Sequence, residues 1–131
     1  MIKFFSNNRI IFYIINFSII LLYLYPGSLL GLIIYKSEKI QPQITPDFIV
    51  STNHLYAFVL LSSIGYLTFN KFSQFISLTI YLITLSIILE MLHYVIPDRS
   101  FEISDLFGNF IGVIIITIIV YFFKKNENIK N

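Results

Sequence analysis

Apolar side chains fill four long stretches of the chain, and polar or charged residues separate them. The stretches lie at about residues 10–30, 53–69, 75–92 and 105–123. Each is close to the ~20 apolar residues that a helix needs to cross the hydrocarbon core of a bilayer. The pattern therefore predicts an all-α integral membrane protein, a bundle of four transmembrane helices built as one domain over residues 1–131.

The segments between the stretches differ in character. Residues 36–50 contain two prolines and clustered charges, which break helices. Residues 70–74 are predicted to form a tight hairpin, and residues 94–104 a short polar loop around Pro97. A Pro-Gly pair at positions 26 and 27 interrupts the first apolar stretch.

Composition agrees with lipid as the main solvent of this chain. Hydrophobic residues make up 56% of it and charged residues 12%, with a mean hydropathy of +0.80. Soluble domains are typically ~45–50% apolar and ~25% charged. Cysteine is absent from the sequence, which excludes disulfides and thiolate metal sites. No basic block interleaved with aromatic residues points to nucleic acid as a partner.

Charge asymmetry predicts the orientation in the membrane. With four spans, the N-terminus, the 70–74 loop and the C-terminus share one side, which carries six basic residues and one acidic residue. The opposite side carries three basic and six acidic residues. Because cytoplasmic loops are enriched in Lys and Arg, both termini are predicted to be cytoplasmic, an N-in/C-in topology.

Ionisable groups are concentrated in one part of the chain, residues 89–109, where six of them occupy sixteen positions. In the predicted topology, Glu90 and His93 end the third span and Asp105 begins the fourth. His54 begins the second span. All four side chains are therefore expected at the extracytoplasmic face of the bundle.

The spacing of these residues favours a binding site. Glu90 lies about one turn inside an apolar stretch, where a carboxylate is costly and usually faces a partner or a polar cavity. His93 shares its helix face, and Arg99 is the expected partner because a guanidinium binds carboxylate or phosphate in a bidentate way. Asp105 and Asn109 lie on one stripe of the fourth helix. The candidate ligand-binding residues are His54, Glu90, His93, Arg99, Asp105 and Asn109.

Several of these residues also have a simpler interpretation. Arg99 could be a solvated charge of the loop. Asp105 suits a helix N-terminus as a cap, and Asn109 suits an interhelical hydrogen bond within a membrane. His54 at the start of a span could simply lie at the bilayer interface. Gly108 and Gly112 form a GxxxG motif, which is more typical of close helix packing than of a functional site.

Taken in order, the polar residues of this region form one motif, Glu90-x-x-His93-x-x-x-Pro97-Asp98-Arg99 followed by Ser104-Asp105-x-x-x-Asn109-x-x-Gly112. This motif resembles the VanZ-like family of small bacterial membrane proteins. The "LYPGS" at 24–28 is similar to the family's ending of the first span. The resemblance covers most of the chain.

The chain departs from the family pattern at several positions. His93 stands where Gln is usual, and Asp98 replaces the Gly of the turn. Val50 and Ser51 replace an Asp-Lys pair that precedes the equivalent of His54. The lost pair weakens the expected contribution of the second span to the site.

The resemblance implies a multi-pass protein of the bacterial cytoplasmic (inner) membrane that acts in the cell envelope. The member that names the family is associated with low-level resistance to teicoplanin, a glycopeptide that binds cell-wall precursors outside the membrane. An extracytoplasmic polar site suits that compartment. The favoured interpretation is a protein that binds or modulates a membrane lipid or a lipid-linked cell-wall precursor.

Two other functions remain open. An intramembrane enzyme acting on a lipid headgroup would use His54 or His93 as a general acid or base, although no nucleophile is evident. The set of His54, Glu90, His93 and Asp105 would suit Zn²⁺ or Mn²⁺, but a single Glu-x-x-His is a common pattern, and no metal or other cofactor is predicted. A transporter or scaffold is less favoured, since no charge lies near a membrane midplane. The sequence leaves the oligomeric state open.

Overall fold

The computed structural model describes the backbone of residues 2–130 and the side chains of residues 3–126, and this part of the chain is helical without strands. The helices in chain order are α1 (Ile2–Asn7), α2 (Ile10–Leu24), α3 (Leu29–Tyr35), α4 (Thr52–Thr68), α5 (Phe72–Leu92) and α6 (Ile103–Lys130). An extended segment without regular structure joins α3 to α4.

Helices α2, α4, α5 and α6 run in alternating directions. The guanidinium of Arg9, before α2, lies 5.6 Å from the centre of the Phe69 ring, after α4. Near the end of α6, Lys124 Nζ donates to the carbonyl oxygen of Asn70 at 2.5 Å. The start of α2 and the end of α6 therefore lie at the same end of the bundle. The candidate site residues are gathered at the other end.

A sharp bend separates α2 from α3, whose axes differ by 87°. Tyr25 is extended, with ψ of 130°, as expected of a residue that precedes proline. Pro26 has no N–H to continue the helix, and Gly27 adopts a φ of +71°, which side chains disfavour. Ser28 then caps α3 by accepting a hydrogen bond from the Gly31 N–H at 2.9 Å. The first predicted span is thus two helices rather than one.

The other three predicted spans each contain a helix with bounds close to those expected. By length and composition, α5 and the Ile103–Asn126 part of α6 can cross a membrane, and the bent pair of α2 and α3 would make a third span. Helix α4 has 17 residues, so it rises about 26 Å, a little less than the ~30 Å hydrocarbon core. Eight of its residues are buried, which makes α4 the inner helix of the bundle.

Helices α4 and α6 approach each other so closely that only glycine fits between them. A Cβ atom on Gly108 would lie 2.5 Å from the carbonyl oxygen of Ser51, and one on Gly112 would lie 2.7 Å from that of Leu55. The Ser51 N–H also donates to the Ser104 carbonyl at 3.2 Å, which ties the two helix starts together. The packing interpretation of the GxxxG motif is confirmed.

The outer surface of the bundle is apolar. Large side chains such as Phe17, Ile76 and Phe122 expose more than half of their surface, whereas Leu61 and Leu82 are fully buried between the helices. Contiguous apolar surface of this kind is unusual on soluble monomers. The exterior is therefore suited to contact lipid.

Substituting Gly112→Ala is expected to lower the free energy of unfolding by about 1–3 kcal/mol, the usual effect of overpacking. The added methyl group meets the Leu55 backbone, which cannot move aside as a side chain can. Thermal unfolding of the detergent-solubilised protein measures the effect.

Gly65→Ala is the matched control, because the nearest atoms to its added Cβ are the ends of the Phe12 and Leu78 side chains, at 3.2 and 3.3 Å. It should change the melting temperature much less. Equal melting temperatures for Gly112→Ala and wild type would contradict the close approach of α4 and α6.

Candidate functional site

Glu90, in the last turn of α5, is the deepest charged group of the site and is fully buried. Its Oε1 accepts a hydrogen bond from the backbone N–H of Glu102 at 3.0 Å and lies 3.2 Å from Nδ1 of His93. Its Oε2 has no hydrogen-bond partner among the described residues and lies 3.8 Å from Nδ1 of His54. One oxygen is therefore held in place while the other remains available.

His54, in the first turn of α4, lies between two carboxyl groups. Its Nε2 lies 3.3 Å from Oδ2 of Asp105, in the first turn of α6, and its Nδ1 faces Glu90 without a hydrogen bond. The close packing of α4 on α6 brings His54 and Asp105 together. Asp105 is thus directed at His54 rather than acting only as a cap.

His93, which follows α5, connects the carboxyl group of Glu90 to the end of α2. Its Nε2 donates to the carbonyl oxygen of Tyr23 at 3.1 Å. That carbonyl belongs to the last turn of α2, where the Pro-Gly bend leaves carbonyls without helical partners. Because Nε2 must donate there, a hydrogen bond between Nδ1 and Oε1 needs one further proton, carried by the imidazole or by the carboxyl group of Glu90.

Arg99 does not form the expected ion pair. It donates from Nε to the Tyr25 carbonyl at 3.3 Å and from an η nitrogen to the Leu22 carbonyl at 3.1 Å, and no described carboxylate lies within 4.0 Å. The carbonyl of Leu22 would ordinarily accept from the N–H of residue 26, but Pro26 has none. A cation at the C-terminal end of a helix is favourable for this reason.

Burial also affects the guanidinium. Desolvation lowers the pKa of Arg99, and the negative charges of Asp105 and Glu90 act in the opposite direction. Arginine remains charged at any physiological pH. Arg99 therefore contributes a positive charge to the site while its donors stabilise the end of α2.

Tyr23 belongs to the site although sequence reasoning did not select it. Its hydroxyl donates to Oδ1 of Asn109 at 2.5 Å, and its ring lies 4.8 Å from the His54 ring and 6.0 Å from that of His93, centre to centre. The signal that could have found it was its place just before the "LYPGS" segment. Asn109 is fully buried, and its Nδ2 has no partner among the described residues.

A polar cavity of about 570 Å³ opens beside this cluster. Of the six candidate residues, His54, His93, Arg99 and Asp105 line it, with Glu90 and Asn109 behind them. The sequence placed these residues at one face, and the structure brings them together. It adds others that the sequence did not indicate, among them Gly27, Ser28, Glu38, Lys39, Gln41, Gln43, Asp47, Ser51, Asn53 and Glu102.

Carboxyl groups outnumber cations around the cavity. The acidic side chains that line it are Glu38, Asp47, Asp98, Glu102 and Asp105, and the basic ones are Lys39 and Arg99. One ring nitrogen of His54 and one carboxylate oxygen from each of Glu90 and Asp105 lie within 4.8 Å of one another, a grouping that could share a cation. His93 is not part of that grouping in the described chain.

An apolar groove of about 410 Å³ adjoins the polar cavity. His54, His93 and Arg99 line both, so the two share a border. The rest of the groove is mostly aliphatic and lies between α2, α3 and α4, with Ile19, Leu22, Leu30, Ile34, Ile44, Ala57 and Leu60 among its lining residues.

Arg99→Ala should lower the free energy of unfolding by about 1–3 kcal/mol, because it leaves two partly buried carbonyl groups at the end of α2 without their donors. Arg99→Lys should lower the free energy of unfolding less, since lysine keeps the positive charge and lacks only the planar set of guanidinium donors. Arg9→Ala, which removes an exposed cation–ring contact worth about 0.5–1 kcal/mol, is the control for loss of a positive charge. If thermal unfolding in detergent shows Arg99→Ala to be no worse than Arg9→Ala, Arg99 does not stabilise the helix end.

Comparison with known proteins places the chain in a family. No curated protein and no solved structure matches it. The family model VanZ/LLP1 matches residues 4–124, nearly the whole chain and every residue of the site. This match confirms the resemblance carried by the motif from Glu90 to Gly112, and the chain therefore belongs to the VanZ/LLP1 family.

Proposed function

We propose that this protein binds the headgroup of a membrane lipid or of a lipid-linked cell-wall precursor in its polar cavity and so modulates the bacterial cell envelope. The polar cavity and the apolar groove that share a border carry this proposal. An amphiphile needs both surfaces side by side, one for its headgroup and one for its hydrocarbon chain. The family's association with glycopeptide resistance fits an envelope role.

The surroundings of the cavity are suited to the surface of a bilayer. Phe48 and Ile49 are 92% and 81% exposed and directly follow Asp47, which lines the cavity. Tyr94 and Val95, after α5, are also exposed. Apolar and aromatic side chains at such a position favour the interface between hydrocarbon and water. A lipid could then enter the groove without leaving the membrane.

The proposal includes a multi-pass topology in the bacterial cytoplasmic membrane. In it, α4, α5, α6 and the bent pair of α2 and α3 cross the bilayer, with both termini in the cytoplasm. Arg9, Lys71 and Lys124 near one end of the bundle and the acidic cavity at the other follow the positive-inside pattern. The short α4 is tolerable because eight of its 17 residues are buried against the other helices.

An enzyme acting on a lipid headgroup is the second candidate, and the contact between His54 and Asp105 favours it. A carboxylate beside an imidazole orients the ring and stabilises its protonated form, which is the arrangement of a general base. The unpartnered Nδ1 of His54 would then be the proton acceptor.

The orientation can be tested with single cysteines, because the natural sequence has none. In intact cells, a membrane-impermeant maleimide should label Ser100→Cys, in the loop beside the cavity, and should label Ser73→Cys only after permeabilisation. Both positions are serines near helix ends, so they are matched in chemistry. The reverse labelling pattern would invert the proposed topology.

Lipid binding can be tested by native mass spectrometry of protein extracted in a mild detergent. Wild type should retain about one lipid per chain, and Ile34→Asn should lose most of it because Ile34 lines the groove. Ile33→Asn is the matched control, since Ile33 is similarly exposed on the same helix but does not line the groove.

The headgroup contact is tested in the same experiment. Lys39→Gln should reduce retention because Lys39 lines the cavity, whereas Lys36→Gln should not. Arg99 is a poor choice here, since its loss also disturbs the end of α2. Wild type without any retained lipid, or equal retention by Ile34→Asn and Ile33→Asn, would contradict the proposed lipid site.

A further inference from the structure

The charge of the cavity is at odds with direct binding of a phosphate. Among the described side chains, five carboxyl groups line it, against one lysine and one arginine, and Arg99 directs its Nε and one η nitrogen at backbone carbonyls. A phosphate group placed among these carboxylates would be repelled. A phosphate-bearing ligand would therefore need an additional cation at this surface.

Two buried atoms at the base of the cavity have no hydrogen-bond partner among the residues that the structure describes. Glu90 Oε2 and His54 Nδ1 lie 3.8 Å apart, and their residues are 0% and 8% exposed. A neutral imidazole carries one ring proton, and both nitrogens of His54 face carboxyl oxygens, Nε2 that of Asp105 at 3.3 Å and Nδ1 that of Glu90 at 3.8 Å, so one nitrogen lone pair faces an acceptor. Two acceptors that face each other can be satisfied together by a cation between them.

We propose that His54, Glu90 and Asp105 bind a divalent cation, Zn²⁺ or Mn²⁺. One nitrogen and two carboxylate oxygens lie within 4.8 Å of one another. They would close up by at most about 1.4 Å on binding, since donors at ~2.1 Å from a tetrahedral zinc ion are ~3.4 Å apart. Imidazole and carboxylate together suit these two metals. Cysteine is not required.

The surroundings of Glu90 support a metal ligand. Oε1 is held by the Glu102 N–H and by His93, which fixes the carboxyl plane and leaves Oε2 directed at His54. Such outer contacts orient metal-binding carboxylates and strongly affect metal affinity. They give His93 a role as a positioning residue rather than as a ligand.

Three protein ligands leave at least one coordination position open, as in zinc sites that bind a further ligand. His54 and Asp105 both line the cavity, so the open position faces it. A phosphate oxygen of the headgroup would occupy that position. This last step rests on the proposed lipid function, whereas metal binding by the three side chains does not.

Metal binding is tested by equilibrium dialysis of the full-length, chelator-stripped protein in detergent against Zn²⁺ and then Mn²⁺, with bound metal quantified by mass spectrometry. Wild type should bind one equivalent. Asp105→Asn and Glu90→Gln should each lower the affinity by at least ~10-fold. Asp98→Asn is the matched control, because it removes the same charge from the same cavity outside the proposed ligand set and should leave the affinity unchanged.

A thermal melt distinguishes loss of a ligand from loss of the fold. Zn²⁺ should raise the melting temperature of wild type and of Asp98→Asn, because a ligand stabilises the state that binds it. It should not raise that of Asp105→Asn, even where the metal-free protein melts as wild type does. Failure of wild type to bind, or an equal loss of affinity in Asp98→Asn, would overturn the metal site.

Lipid and metal are then measured on the same preparations. Metal bound stoichiometrically by protein that retains no lipid would support the metal site and reject the lipid function. Lipid retained by wild type that binds neither metal would support the lipid function and reject the metal site. Loss of a phosphate-bearing lipid after chelation, with its return on addition of Zn²⁺, would support both.

Discussion

The burial of one carboxyl group, that of Glu90, organises the whole end of the bundle at which the site lies. A carboxylate removed from water must be paired and hydrogen-bonded or it destabilises the fold. The groups that approach Glu90 come from different parts of the chain: His54 from α4, His93 from the turn after α5 and a backbone N–H from the loop before α6. Because the groups that contact the Glu90 carboxyl come from three helix ends, its burial holds these ends together.

The bend after α2 is coupled to the same cluster. Pro26 removes a backbone donor, so the last carbonyls of α2 need hydrogen bonds from elsewhere. His93 and Arg99 supply them, and His93 also contacts Glu90. The break that turns α3 away from α2 thus lies beside the groove and the polar cavity and shares donors with their lining. The bend and the site depend on each other.

The site combines a polar surface with an apolar surface beside it. The polar cavity is rich in carboxyl groups, and the groove beside it is aliphatic. A phosphate-bearing amphiphile matches the shape of this arrangement but not its charge, and a bound cation would reconcile the two. The orphaned oxygen of Glu90 and nitrogen of His54 lie where such a cation would be most effective. Membership of the VanZ/LLP1 family is compatible with this account and does not by itself select the ligand.

By itself, the sequence determined where most of the helices lie and at which end of the bundle the ionisable side chains are concentrated. Long apolar stretches placed α4, α5 and the start of α6 within three residues of their observed bounds, because helix formation in lipid depends on local composition. Helix α6 continues to Lys130, seven residues beyond its apolar stretch. The ordered polar residues from Glu90 to Asn109 indicated the family, and five of the six candidate site residues lie within this motif. The sixth, His54, lines the polar cavity beside it. The GxxxG pattern predicted close packing of the last helix, since the need for a small residue is local, but only the structure shows that its partner is α4.

Only the tertiary structure decided which hydrogen-bond and ion-pair partners the site residues have. Arg99 was expected to pair with Glu90, but backbone carbonyls exposed by the proline bend compete for its donors, and no sequence pattern reports their position. Tyr23 was missed because its hydroxyl meets Asn109 across 86 positions of sequence. The 87° bend and the groove follow from how α3 packs after the break. Contacts between helices depend on distances in space. Hydropathy and residue spacing along the chain do not report those distances.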